Sequence, residues 1–92
     1  MELIPKVKIT PESITLQEGD SARFVCHVTT VRPTQVLWSR ENWLQLSSRA
    51  MVNGNILSFK SLNMSDAGDY VCTASNDIAV RTAKMRLTVK SK

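Results

Sequence analysis

Cys26, Trp38, Tyr70 and Cys72 constrain this chain more tightly than any other feature of it. The cysteines stand 46 positions apart. Between them, Trp38 falls in a short apolar run, and Tyr70 precedes Cys72 by two residues, the spacing that puts both side chains on one face of a strand. Around these four the sequence is built of short alternating runs bounded by turn residues, with no internal repeat, low-complexity stretch or linker. An all-β fold of two packed sheets is the natural reading.

The runs can be placed in order. Val7 to Ile9 and Ser13 to Leu16 read as two halves of an edge strand broken at Pro11, where a missing amide is tolerated. Ser21 to Val28 follows the Glu18-Gly19-Asp20 turn, with Ala22, Phe24, Cys26 and Val28 inward, Ser21, Arg23 and His27 outward, and Val25 an apolar exception among the outward positions. Pro33 holds Arg32 extended, after which Val36 and Trp38 point inward. Ser39 to Ser48 lacks strict alternation and reads as a short strand plus irregular chain. Asn53-Gly54 predicts a hairpin between strands at Ala50–Val52 and Asn55–Lys60, the second placing Leu57 and Phe59 in the core and closing at Leu62. Tyr70, Cys72 and Ala74 face inward on the next strand, Asn76-Asp77 starts a turn, and Val80 to Val89 buries Ala83, Met85, Leu87 and Val89 while exposing Lys84, Arg86, Thr88 and Lys90.

The order Cys, Trp, Tyr, Cys, together with the D-x-G-x-Y-x-C run Asp66-Ala67-Gly68-Asp69-Tyr70-Val71-Cys72, resembles the immunoglobulin superfamily. The resemblance implies a Greek-key β-sandwich of two antiparallel sheets. In it a Cys26–Cys72 disulfide joins the sheets, Trp38 packs against the disulfide, and Tyr70 forms a tyrosine corner. With 28 positions between Trp38 and Asp66, room is lacking for the extra strand pair of a variable-type domain, so the chain is similar to the intermediate set. Within that set, Val36-Leu37-Trp38-Ser39-Arg40, Arg49-Ala50-Met51 and Asn55-Ile56-Leu57 resemble the tandem modules of perlecan-type basement-membrane proteoglycans. The family pattern further implies an ion pair between Arg49 and Asp66 across the bottom of the sandwich.

Ninety-two residues make one domain, expected to span 6–90 between leading linker residues 1–5 and a short tail at 91–92, with Met1 read as an added start residue of an excised module. Closing a loop of 46 residues with the disulfide is worth about 4 kcal/mol in the chain-entropy model. An even cysteine count in so small a β-domain points to an oxidising, extracellular setting, and Asn63-Met64-Ser65 is an acceptor sequon for N-glycosylation. No apolar run approaches the roughly 20 residues that span a bilayer, and Met1 opens no signal-peptide pattern. A net charge of +4, spread among eight acidic residues, does not imply nucleic acid.

Catalysis finds no support: the one histidine, His27, faces outward, and no base, acid and nucleophile stand at recognisable spacing. No metal-ligand run or cofactor motif is present once the cysteines pair. A binding and spacer module is the remaining reading, joined head to tail with neighbouring modules and meeting another matrix or basement-membrane protein. An intracellular giant muscle protein and a cell-surface adhesion molecule or receptor are the alternative settings. Two surfaces are candidates. Arg40, Trp43, Leu44, Val71 and Thr73 mark a protein-binding face on the C, F and G strands, with Trp43 as anchor. Lys6, Lys8, Lys84, Arg86 and Lys90 would line one basic edge able to hold heparan sulfate, if the first and last strands pair.

Overall fold

The computed structural model describes residues 3–92, the Trp43 side chain excepted. Eight strands form it: β1 Lys6–Thr10, β2 Ser13–Gln17, β3 Ala22–Thr29, β4 Gln35–Arg40, β5 Ala50–Asn53, β6 Ile56–Phe59, β7 Gly68–Ser75 and β8 Val80–Lys90. One four-stranded sheet has the order β1-β3-β6-β5 and the other β2-β8-β7-β4. The all-β, two-sheet immunoglobulin-like sandwich expected from the sequence is the fold observed.

Period-two alternation decides which side chains meet between the sheets. Phe24 and Cys26 from β3, Leu57 and Phe59 from β6, Tyr70, Cys72 and Ala74 from β7, and Met85, Leu87 and Val89 from β8 are all buried, with Trp38 from β4. The Cys26–Cys72 disulfide crosses the gap with its Cα atoms 6.4 Å apart. Beside it the Trp38 indole N–H donates to the Asn55 carbonyl at 3.1 Å, which also accepts the Cys26 amide at 2.9 Å. Leu62 is buried too, but it lies beyond the end of β6, held in a loop by its amide and carbonyl bonding to Asp20 and Gly19.

The first strand does break near Pro11, and its two halves join opposite sheets. β1 pairs antiparallel with β3, and β2 pairs parallel with β8. Upstream, Pro5 is buried and the Leu3 carbonyl accepts the Asn76 side-chain amide at 2.9 Å; the leading residues 1–2 lie outside the described residues. The β5–β6 hairpin turns one residue later than Asn53-Gly54: Asn53 pairs with Ile56, the loop is Gly54-Asn55, and Gly54 carries the positive φ of 60°.

The short strand expected within Ser39–Ser48 does not form. The chain leaves β4 at Arg40 and makes a 3₁₀ turn at Glu41–Trp43. Asn42 enters the left-handed region at φ 63° and ψ 29°, which turns the chain so that the Arg40 amide donates to the Leu44 carbonyl at 3.3 Å. Asparagine tolerates that conformation better than other non-glycine residues, and no extended run survives beyond it. β4 is therefore an edge strand.

Candidate interaction surfaces

The lower end of the sandwich is a polar lock. Asn63 caps the 3₁₀ turn Met64–Asp66: its side-chain oxygen accepts the Ser65 amide at 2.9 Å and the Ser65 hydroxyl at 2.8 Å. Asp66, fully buried, accepts the Asn63 amide in return at 2.9 Å, completing a capping box. Arg49 reaches it with two bonds, Nη2 to Oδ1 at 2.8 Å and Nε to Oδ2 at 3.0 Å, and the Ser47 hydroxyl adds a third donor at 3.2 Å. Burial by itself pushes the Asp66 carboxyl up, but the Arg49 bonds first, then the Asn63 amide and the Ser47 hydroxyl, outweigh it and hold the group below the usual carboxylate range. The Tyr70 hydroxyl donates to the Asp66 carbonyl at 2.7 Å, and its ring meets Phe59 edge-on at 6.0 Å. Seven hydrogen bonds, two of them making the Arg49–Asp66 ion pair, are thus gathered where the motif residues lie, and their work is structural.

Arg40 is tied into this lock. It shares the parity of Trp38 on β4, so its side chain runs to the inner side at the bottom of the sandwich. There Nη1 and Nη2 donate to the carbonyls of Ser65 at 3.0 Å and Ala67 at 2.7 Å, and the guanidinium lies 5.2 Å from the centre of the Tyr70 ring. Gly68 explains the glycine of the motif. Its φ is 144°, and a Cβ there would stand 2.8 Å from Arg40 Nη2.

The expected basic edge is not assembled. Lys6 and Lys8 lie on β1, whose outward positions belong to the outer face shared with β3, β6 and β5, whereas Lys84, Arg86 and Lys90 point out from β8 on the opposite face. β8 pairs with β2, not β1. Lys84 is moreover bonded to Glu41 at 2.7 Å, and Arg86 grips Asp69 through Nε at 2.8 Å and Nη2 at 3.1 Å. The Arg86 guanidinium beside it holds the Asp69 carboxyl down to about 2.

The outer face of β2, β8, β7 and β4 carries the other candidate. Cross-strand register sets Ser39 beside Val71 and Lys84, Leu37 beside Thr73 and Thr82, and Gln35 beside Ser75 and Val80. Arg40, Val71 and Thr73, all named from the sequence, are half-buried and help line a shallow hollow of about 230 Å³. Leu44 is exposed just past the 3₁₀ turn, and the expected Trp43 anchor lies outside the described residues. Further apolar area stands at positions the motifs do not mark: Leu37 is 61% exposed and Val80 57%, with Ile78 at 50% in the adjoining turn. Leu37 could have been found, because it is a leucine at an outward position one step from Trp38. The face is thus divided into an apolar upper half and a lower half in which Lys84 and Glu41, and Arg86 and Asp69, neutralise one another, with Lys90 exposed at its end. Above it, Arg32 of the β3–β4 loop clasps Asp77 of the β7–β8 turn at 2.8 and 2.6 Å, tying the two loops together.

Among the described residues, no helix is long and apolar enough to cross a membrane and no group of three or more His, Cys, Asp or Glu could hold a metal.

Comparisons with known proteins follow this architecture. The chain is 39% identical to cell adhesion molecule 4 of Xenopus laevis over 77 residues, covering 83% of this chain and 20% of that protein. It is 28% identical to the mouse basement membrane-specific heparan sulfate proteoglycan core protein over 85 residues, 92% of this chain and 2% of that one. The solved three-domain ectodomain of mouse nectin-like molecule 4 superimposes with a TM-score of 0.80 at 30% identity, over 95% of this chain and 30% of the other. The chain therefore spans a fifth or less of the length of these two relatives. The family profile for the immunoglobulin domain matches residues 4–76, and the chain belongs to that family.

Proposed function

We propose that this chain is a non-catalytic protein-binding module, and that it binds through the outer face of β2, β8, β7 and β4. One observation carries the reading: Leu37 and Val80 occupy outward positions in regular strands, where they do nothing for the interior. Exposed aliphatic area of this kind, next to charges already satisfied among themselves, is suited to a partner that excludes water over the upper half and meets a polar rim below. The β4 edge alongside it is left without a neighbouring strand, and its unpaired backbone groups add a second means of contact.

The setting we favour is a cell-surface or extracellular protein in which such modules follow one another. The disulfide supports it, as does the Asn63 sequon, whose asparagine is exposed and whose oxygen is already bonded to the sequon serine. The greater identity to cell adhesion molecule 4 than to the proteoglycan core protein favours an adhesion protein over the narrower basement-membrane role. Binding of the oxidised chain to immobilised adhesion-protein ectodomains and to basement-membrane proteins tests this. Leu37→Asp should abolish binding without lowering the melting temperature. Undiminished binding by that variant would refute the assigned face.

A further inference from the structure

The opposite outer face, on β1, β3, β6 and β5, has a charge distribution that nothing in the protein-binding reading uses. None of these four strands contains an aspartate or glutamate. The described carboxylates are all placed elsewhere. Asp66 is buried with Arg49, Glu41 and Asp69 sit on the other face, Asp77 is in the β7–β8 turn, and the rest lie in the corners before β2 and β3. Asp20, the nearest in sequence to β3, is turned onto the Gln17 amide at 2.9 Å. The outward positions of the carboxylate-free sheet carry Lys8, Arg23 and His27, and exposed Lys60 follows directly on β6.

Register gives these charges a direction. Lys8 stands opposite His27 and Arg23 opposite Ser58, two residues before Lys60. At about 3.4 Å per residue, the four positions from His27 to Arg23 and the two from Ser58 to Lys60 set Lys8, Arg23 and Lys60 along a diagonal of roughly 20 Å across β1, β3 and β6. A small anion would meet one of them at a time. An extended polymer with regularly repeated negative charge meets all three, and the strands' lack of any Asp or Glu reinforces the attraction. The face has no Trp, Tyr or Phe among its outward positions to seat in a lipid headgroup layer, since Phe24 and Phe59 are buried inward.

From this we infer that the outer face of β1, β3, β6 and β5 binds a linear sulfated glycan along the line Lys8–Arg23–Lys60. The basic ligand surface is thus on the sheet opposite to the protein-binding face, and both can be filled at once. The test uses the oxidised chain and heparin across a salt series, with hyaluronan as a carboxylate-only glycan and phosphatidylserine vesicles as an anionic surface. The wild-type chain should bind heparin in a salt-sensitive way and more strongly than either control. Lys8→Ala/Arg23→Ala should weaken it at least tenfold. Arg81→Ala/Lys90→Ala removes the same charge from β8 and should weaken it less than threefold, with melting temperatures of both variants near wild type. Equal losses in the two double variants, no heparin binding at low salt, or equal binding to hyaluronan or vesicles would each overturn the assignment.

Discussion

The two outer faces of this sandwich rest on one shared interior and carry opposite solutions to the problem of an exposed sheet. On β2, β8, β7 and β4, the two central cations each have a carboxylate within 2.8 Å, Lys84 with Glu41 and Arg86 with Asp69, Lys90 stands exposed at the lower end, and the upper half is left apolar. On β1, β3, β6 and β5 the cations have no carboxylate on their own strands, and charge accumulates along a line. The net charge of +4 is therefore not spread evenly, although the sequence interleaves basic and acidic residues throughout. Charge composition becomes a statement about binding only when the strand order has sorted it onto faces.

Removing what the faces share should have the largest effect. Cys72→Ala is expected to lower unfolding stability by about 4 kcal/mol, the loop-closure value for a 46-residue separation. Denaturant melting should show the loss and both binding activities should weaken together; a variant that lost one alone would break the shared-interior account. Asp66→Ala comes next at about 3 kcal/mol, because three donors and the Arg49 charge lose their acceptor. The pH dependence follows from the same group. A carboxyl held below its unfolded value stabilises the fold above that value and loses the contribution as it is protonated. Asp66 should thus add acid lability below about pH 4, and Asp69 should add its share between there and about 2. Thermal melts of wild type and Asp66→Ala from neutral pH downward should converge in acid; a constant gap would refute the assignment.

The interior was legible in the sequence because it rests on period-two alternation and on residues with few alternative uses. Phe24, Leu57, Phe59, Tyr70, Met85 and Leu87 all fall where alternation puts them. The chain after β4 was not legible, because a single left-handed Asn42 decides it and asparagine does not announce that conformation. Arg40 was assigned outward although its parity with Trp38 turns it in, since an arginine at the end of a strand invites a solvent reading unless the carbonyls of Ser65 and Ala67 are known to be waiting. The basic strip failed for a topological reason. β2 takes the place beside β8 that the strip required of β1, and sequence alternation cannot choose between those partners.

A smaller effect sharpens the contrast between the faces. Glu41→Gln/Asp69→Asn removes both carboxylates from the balanced face and leaves Lys84 and Arg86 unneutralised. This variant should gain salt-sensitive heparin affinity of a few fold over wild type. An unchanged elution from heparin would mean that charge balance is not what separates the two faces.

The most direct measurement of the central claim is binding by wild type, Leu37→Asp and Lys8→Ala/Arg23→Ala side by side, against immobilised adhesion-protein ectodomains and basement-membrane proteins. The account predicts that Leu37→Asp alone loses protein binding while all three melt at nearly the same temperature. Retention by Leu37→Asp with loss in Lys8→Ala/Arg23→Ala would place protein recognition on the cationic sheet and contradict it.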